Sequence, residues 1–472
     1  MTVLVEGFEP DQLALAAHLA AAAPRGSVRL AATGPAPREA LALAALGVAV
    51  EPHADLDRDP GPADVAYLDV WTPEVAVRVQ KLRAQGTRVS CLGDLLLEQW
   101  PGPTLAITGT AGKTTTTSLV AAALRAAGVD AAVSAGARAG NLWPTADLLD
   151  HLASAAPARL LVLELTSSHL AYMHASPDVA AVISFWPDHL ELHGDLARYR
   201  AAKETIVRHQ RPGDRVVVNA DDASAGLADV TPAERVEFSL TRRVERGAYL
   251  DRARGVVLAA GGHETSLGPI HLRGPHPANV VAAAAIADTA GAAPDAIAAG
   301  IATAPSLPWR AQPAGTLAGV PVVDDGMAAT PAKAAAALAA HSDASVVLIA
   351  GGLLELGGGP VHATPEEQEL LERACDEIAR VARLVVVFGD AGTRLAGLLQ
   401  PRGVEVRAAP DLEEAVALAA RAAGGAAAVV FSPLFPVLLH DRARFSQLVD
   451  PRRPRPTATA YSGGCADRKQ GP

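Results

Sequence analysis

The sequence predicts an α/β protein of three domains with open, mostly parallel sheets, and three observations carry that prediction. Short apolar, β-branched runs alternate with alanine-rich helical runs along the chain, the pattern that parallel sheets require. A glycine-bearing turn at 109–112 joins one such strand to one such helix. Two stiff, helix-incompatible breaks, Pro101-Gly102-Pro103 and Pro305 to Pro308, cut the pattern into units of ordinary domain size. At 472 residues the chain is too long for a single core, and its content of 50% apolar against 19% charged residues gives it enough material to bury. The expected divisions are 1–100, 101–305 and 306–451, followed by a disordered tail at 452–472.

In the first unit the candidate strands are 2–6, 28–32, 48–51, 65–68 and 88–92, which makes it Rossmann-like. Its first turn, Val5-Glu6-Gly7-Phe8-Glu9, lacks the G-x-G-x-x-G of a dinucleotide site. The third unit repeats the scheme, with strands at 320–324, 345–350, 384–388 and 427–431 and helices near 331–341, 365–382, 391–399 and 411–423. It too is expected to be Rossmann-like.

The middle unit carries the chemistry. Thr104 to Ile107 suit a buried strand, and Gly109 and Gly112 then let backbone N–H groups approach an anion. Lys113 adds a cation, Thr114 offers a hydroxyl to Mg²⁺, and the apolar pattern Leu119, Val120, Leu124 continues as a helix whose N-terminus faces the same anion. The bland reading is an ordinary βα turn with a chance Gly-Lys-Thr, and the strand before and helix after favour instead a nucleotide phosphate site of P-loop ATPase type. Ile107 stands where the usual P-loop has its first glycine, which makes this a shorter variant. Further strands are expected at 160–165, 179–184 and 215–219, a small antiparallel addition within 220–275, and a helix at 278–291.

Glu164 ends an apolar strand at the edge where open α/β sheets bind ligands, and a metal beside the phosphate loop is a natural partner for it. Alone it would read as a strand-end carboxylate facing water. Asp188 and His189 follow the next strand directly and suit a hard cation and its waters. Lys203 lies in a helical run, where lysines usually face solvent.

The net charge of −10 argues against a nucleic-acid partner, and the three scattered cysteines make neither a disulfide framework nor a zinc site. The N-terminus does not read as a signal peptide and no run reads as a membrane span, so a cytoplasmic protein without a membrane partner is expected.

These segments resemble the Mur ligase family, ATP-dependent enzymes that add amino acids to the peptidoglycan precursor. Over roughly 87–450 the matching motifs are Thr108-Gly109-Thr110-Ala111-Gly112-Lys113-Thr114-Thr115, Glu164 before its Ser pair, Pro187 to Gly194, and Ala201-Ala202-Lys203. Gly93-Asp94-Leu95, Gly140 to Pro144 and Leu307 to Arg310 resemble the branch that adds D-glutamate to UDP-N-acetylmuramoyl-L-alanine. The resemblance implies a monomer acting on small-molecule substrates, with UDP-substrate, ATP and amino-acid domains in that order. It implies ATP, two Mg²⁺ ions and a carbamylated lysine at Lys203. Lys113, Glu164, His189 and Lys203 would be catalytic. Thr114, Glu164, His189 and Lys203 would hold metal, while residues 109–115, Asn279, Arg310 and Asp325 would bind nucleotide and Asn141 the carboxylate substrate.

Departures from the pattern cluster at the substrate ends. The loop asparagine is Ala111, and the adenine-side motif shrinks to His276-Pro277-Ala278-Asn279. Met327 and Glu355 stand where lysines are expected, Val437 where a serine is, and Asp69 to Pro73 replace a turn near the uridine. Without those two cations the side chain of D-glutamate would be desolvated unpaired, at about 1.5–3 kcal/mol for each lost charge-assisted bond.

Overall fold

The computed structural model describes residues 1–68, 75–134, 136–138, 141–143, 146–153, 159–269, 276–341, 346–356 and 359–450. Three sheets follow one another along the chain. The first holds five parallel strands in the spatial order Ala49–Glu51, Val28–Ala31, Val3–Glu6, Val65–Tyr67, Arg88–Ser90, each within two residues of its expected bounds.

The central sheet has nine strands. Thr104–Thr108 lies in it between Val179–Val182 and Leu160–Glu164, parallel to both. Thr104–Thr108 and Leu160–Glu164 are buried at every position, as strands covered on both faces must be. The expectation for 220–275 needs correction. Glu234–Ser239 and Gly247–Asp251 extend the central sheet in parallel, and just Gly255–Ala260 and His263–Gly268 run antiparallel at its edge. The turn Ala223–Val230 winds as a 3₁₀ segment, which gives the chain the crossover a parallel neighbour needs.

One face of this sheet is covered by the helices Lys113–Ala126, Pro277–Thr289 and Pro294–Thr303. Pro277–Thr289 is buried from Val280 to Ala287, and its run of alanines permits that all-round burial. The other face shares one continuous apolar cluster with the first sheet, from Val3 through Leu95 and Trp100 to Leu163 and Tyr199. Asp94 reinforces that junction. Fully buried, it accepts from the backbone N–H groups of His174 (2.7 Å) and Ala175 (3.0 Å).

The third sheet has the order Gln312–Leu317, Val320–Asp324, Ala428–Leu434, Val346–Gly351, Ala382–Phe388, Glu405–Ala408. Its two faces carry separate apolar clusters whose described members all lie between Ala314 and Val449. The edge strands Gln312–Leu317, bearing Pro313 and Gly315, and Glu405–Ala408, mostly exposed, lack the apolar runs that mark the inner strands. Among the described residues no helix is long and apolar enough to cross a membrane.

Candidate active site

Register brings the site together. Glu164 pairs with Ile107 and Val182 with Thr108, so the phosphate loop, the end of Leu160–Glu164 and the segment 183–189 emerge at one sheet edge. Gly112 sits at φ +81° as the N-cap of Lys113–Ala126, and a Cβ there would stand 2.2 Å from Asn279 Oδ1. Both the backbone angle and the contact demand glycine. The loop is pinned from beside it: Ala111 N donates to Ser184 Oγ (2.9 Å), Ser184 Oγ donates to Ala111 O (3.0 Å), and Thr110 N donates to Ser184 O (3.0 Å). Thr110 Oγ1 and the Tyr199 hydroxyl share a hydrogen bond of 2.8 Å.

Lys113 Nζ donates to Gly109 O at 2.9 Å. Burial, helped by Lys333 and Arg310 and opposed by Glu164 and Asp188, brings this ammonium down to about 8. Thr114 Oγ1 donates to Glu164 Oε1 at 3.0 Å, and Glu164 is 1% exposed. A hydroxyl beside a buried carboxylate at a phosphate loop is a donor set suited to a hard divalent cation. Among the described residues no group of three or more His, Cys, Asp or Glu is arranged to hold a metal, and the set expected from the sequence has two of those types, Glu164 and His189.

Lys203, from helix Leu196–Arg208, is 1% exposed. Its Nζ lies 3.4 Å from Thr108 Oγ1 and 5.0 Å over the Tyr199 ring. Burial, then the Lys113 and Lys333 charges, push it well below the ordinary lysine range despite Asp188. The solvated-lysine alternative therefore fails. Burial alone would raise Asp188, but His189, Lys333, His362 and Lys113 together hold its carboxyl well below the usual range. His189 takes the left-handed region at φ +55°, its N–H donates to Asp188 Oδ1 (3.1 Å), and its Nε2 stands 3.7 Å from Asp188 Oδ2. Such a backbone costs about 1–2 kcal/mol for a residue other than glycine.

From the third region, the half-buried Arg310 lies within the field of Glu164 and Asp325, and burial lowers it. Asp325 accepts from Ala311 N (3.0 Å) and Ser432 Oγ (3.4 Å), and burial with Asp324 beside it raises its carboxyl to about 7 against the pull of Arg310. Met327 receives a hydrogen bond at its sulfur from Arg442 Nη1 (2.8 Å), Glu355 is exposed, and Val437 is buried. Arg442, nearly buried, is brought down to about 10 by burial and Arg310.

The structure thus gathers Lys113, Thr114, Glu164, Lys203, Asn279 and Arg310 around the loop. The side chain of Asn141, the turn 69–73, residues Gly140 and Pro144 and the tail lie outside the described residues. Sequence reasoning missed Ser184, Tyr199, Lys333 and Arg442. Ser184 alone carried a signal, standing two residues past the strand Val179–Val182.

Three successive α/β sheets with a phosphate loop in the middle one define a class, and sequence comparison names it. Residues 107–287 match the family described as Mur ligase middle domain, and 309–434 match Mur ligase, glutamate ligase domain. The chain belongs to the Mur ligase family. It is 34% identical to the UDP-N-acetylmuramoylalanine–D-glutamate ligase of Frankia casuarinae, over 92% of this chain and 89% of that one. To the enzyme of the same name from Symbiobacterium thermophilum it is 32% identical, over 78% and 79%. Among solved structures, MurF ligase from Thermotoga maritima in complex with ADP superposes with a TM-score of 0.59 at 19% identity, covering 92% of this chain and 97% of that one. UDP-N-acetylmuramate–alanine ligase MurC from the same organism gives 0.58 at 20%, covering 96% and 100%. The fold expected from the sequence is the fold these ligases share.

Proposed function

We propose that this chain is an ATP-dependent, ADP-forming ligase that joins D-glutamate to UDP-N-acetylmuramoyl-L-alanine. The observation that carries this reading is the Thr114–Glu164 contact at the mouth of a glycine-shaped loop, with Lys113 and the buried Lys203 beside it. The loop's backbone N–H groups and Lys113 would hold the triphosphate, and Asn279, packed over Gly112, would meet the adenine side. Mg²⁺, held by Thr114 and Glu164 with His189 and a carbamylated Lys203, would neutralise charge on the transferred phosphoryl group. The uncharged Lys203 amine is the form that adds CO₂, and the carbamate would replace a repelled cation with a carboxylate. Arg310 and Asp325 would meet the nucleotide from the third region, and Asn141 the carboxylate substrate. The alanyl carboxylate takes the γ-phosphoryl group from ATP with loss of ADP, and the incoming amine then displaces phosphate from the acyl phosphate. This reading also carries the expectation of a cytoplasmic monomer with domains at 1–100, 101–305 and 306–451.

Met327 and the exposed Glu355 favour a second reading, the same chemistry with another amine acceptor. Phosphate release from ATP with UDP-N-acetylmuramoyl-L-alanine and a panel of amino acids tests both. Turnover with D-glutamate alone supports the first, and turnover with a different amine supports the second. ATP binding without turnover for any acceptor would overturn both in favour of a nucleotide-binding protein with no ligase activity.

A further inference from the structure

The strands Val320–Asp324 and Ala428–Leu434 run parallel with Asp324 beside Phe431. The turn 325–327 and the segment leading into helix Leu439–Val449 therefore leave the same edge of the third sheet, the edge at which open α/β sheets take ligands. Arg442, in the first turn of that helix, is 9% exposed. Its Nη1 donates to the Met327 sulfur at 2.8 Å, and its Nε is buried with no partner. A guanidinium held this way has a weak acceptor for one donor and none for another. We propose that Arg442 is the specificity-determining cation of the third region and that it receives a carboxylate of the incoming amine, displacing the Met327 thioether. The assignment rests on the ligase reading above and narrows its acceptor to an amine that carries a carboxylate.

The partner is the first argument. Asp324, fully buried nearby, accepts from Gly326 N (3.1 Å) and Ser446 Oγ (2.8 Å). Asp324 and Asp441 favour the Arg442 charge from nearby and Arg310 opposes it, yet the Nη1 donor goes to a thioether, which a carboxylate oxygen outcompetes. Room is the second argument. A Cβ on Gly326 would stand 3.3 Å from Arg442 Cγ and 3.1 Å from Phe431 Cε1, so the bare glycine is what lets the arginine stem lie against the turn. Met327 is half-buried and unbranched, and it can swing aside without moving the backbone. The third argument is position. Met327 N donates to Trp309 O (3.0 Å) and Ala311 N to Asp325 Oδ1 (3.0 Å), which fixes the turn that Arg442 touches onto the segment carrying Arg310. A carboxylate at Arg442 would be held beside the segment that, on the proposed function, meets the nucleotide, as an amine approaching an acyl phosphate requires.

The test follows phosphate release from ATP with UDP-N-acetylmuramoyl-L-alanine in the wild-type chain, Arg442→Met and Arg442→Lys, with D-glutamate, D-glutamine and D-isoglutamine as acceptors. Arg442→Met should raise the KM for D-glutamate about 10- to 100-fold while the KM for ATP and kcat change by less than about threefold, because the lost charge-assisted contact belongs to the acceptor alone. Arg442→Lys should stay within about tenfold of the wild type. The penalty of Arg442→Met in kcat/KM should vanish with whichever amide lacks the carboxylate that Arg442 receives. An equal penalty for all three acceptors, an equal rise in the KM for ATP, or no rise at all overturns the assignment and leaves Arg442 a structural cation. If Arg442→Met loses its circular dichroism spectrum, the same comparison in Arg442→Gln decides. Where the wild-type chain turns over with a different amine, that amine and its amide replace D-glutamate, and turnover confined to amines without a carboxylate overturns the assignment while the ligase reading stands. No phosphate release by the wild-type chain with any acceptor overturns the ligase reading and the assignment with it.

Discussion

In the central region the phosphate loop is tied to its surroundings through Ser184 and Tyr199, and Asn279 stands so close over Gly112 that the backbone there has no room for a side chain. On the third side, Thr330 caps its helix without a side-chain hydrogen bond, its Oγ1 and Arg442 Nε are buried without partners, and Arg442 leans on a thioether. On the proposed function the two sides would face different kinds of ligand. Phosphates are gripped by main-chain N–H groups, whose placement depends on a few glycines and neighbours that cannot change. An acceptor amine is recognised by side chains, which can be exchanged one at a time. The contrast explains why the central motifs survive nearly whole in this chain while the cations expected at 327 and 355 do not.

The largest effect expected from breaking the central side is that of Lys203→Ala. It should lower acceptor-dependent phosphate release by roughly 10³-fold or more, with partial recovery on adding small carboxylates. Unchanged turnover would remove Lys203 from the site. Gly112→Ala should weaken nucleotide binding about 10- to 100-fold in a calorimetric titration, since the new methyl meets Asn279 and the backbone angle is strained.

The third side is probed by restoring a cation. Met327→Lys would set an ammonium against the buried Arg442 and should cost about 1–3 kcal/mol in urea denaturation. A variant as stable as the wild type would mean that this side holds more space or charge compensation than its contacts indicate. The smallest effect concerns Asp325, whose carboxyl folding raises from 3.8 to about 7. The folded chain therefore keeps a proton that the unfolded chain gives up. Stability from this group is full below about pH 4 and is lost as pH rises through 7. Asp325→Asn should gain on the wild type across that window, the gain growing as pH rises from about 4 to 8. A pH-independent difference would contradict the burial argument.

How much of this could be read from the sequence differs between the same two sides. The loop was legible because positive φ and close approach force glycine, and Glu164 only by its convergence with Thr114 and the Asp188-His189 segment, since alone it reads as a strand-end carboxylate facing water. Lys203 was legible through its resemblance to the family's A-A-K helix, while its burial beneath Tyr199 was not. Lys333 and Asp188 are 145 positions apart, and nothing local to either one announces that the packing of two regions will join them. The strands Glu234–Ser239 and Gly247–Asp251 were misjudged for a related reason. Polar turn-rich sequence suggests hairpins, but whether the next strand pairs parallel is decided by the free edge that Arg215–Asn219 offers.

Lys203 also sets a clock. With its side chain 1% exposed and its amine 5.0 Å from the Tyr199 ring, itself stacked on Phe185 at 5.5 Å, a small electrophile reaches it only through a local opening of the packing around helix Leu196–Arg208. Labelling of that amine would therefore proceed at the helix's opening rate, independent of reagent concentration once reagent is plentiful, and would report how often this part of the molecule breathes.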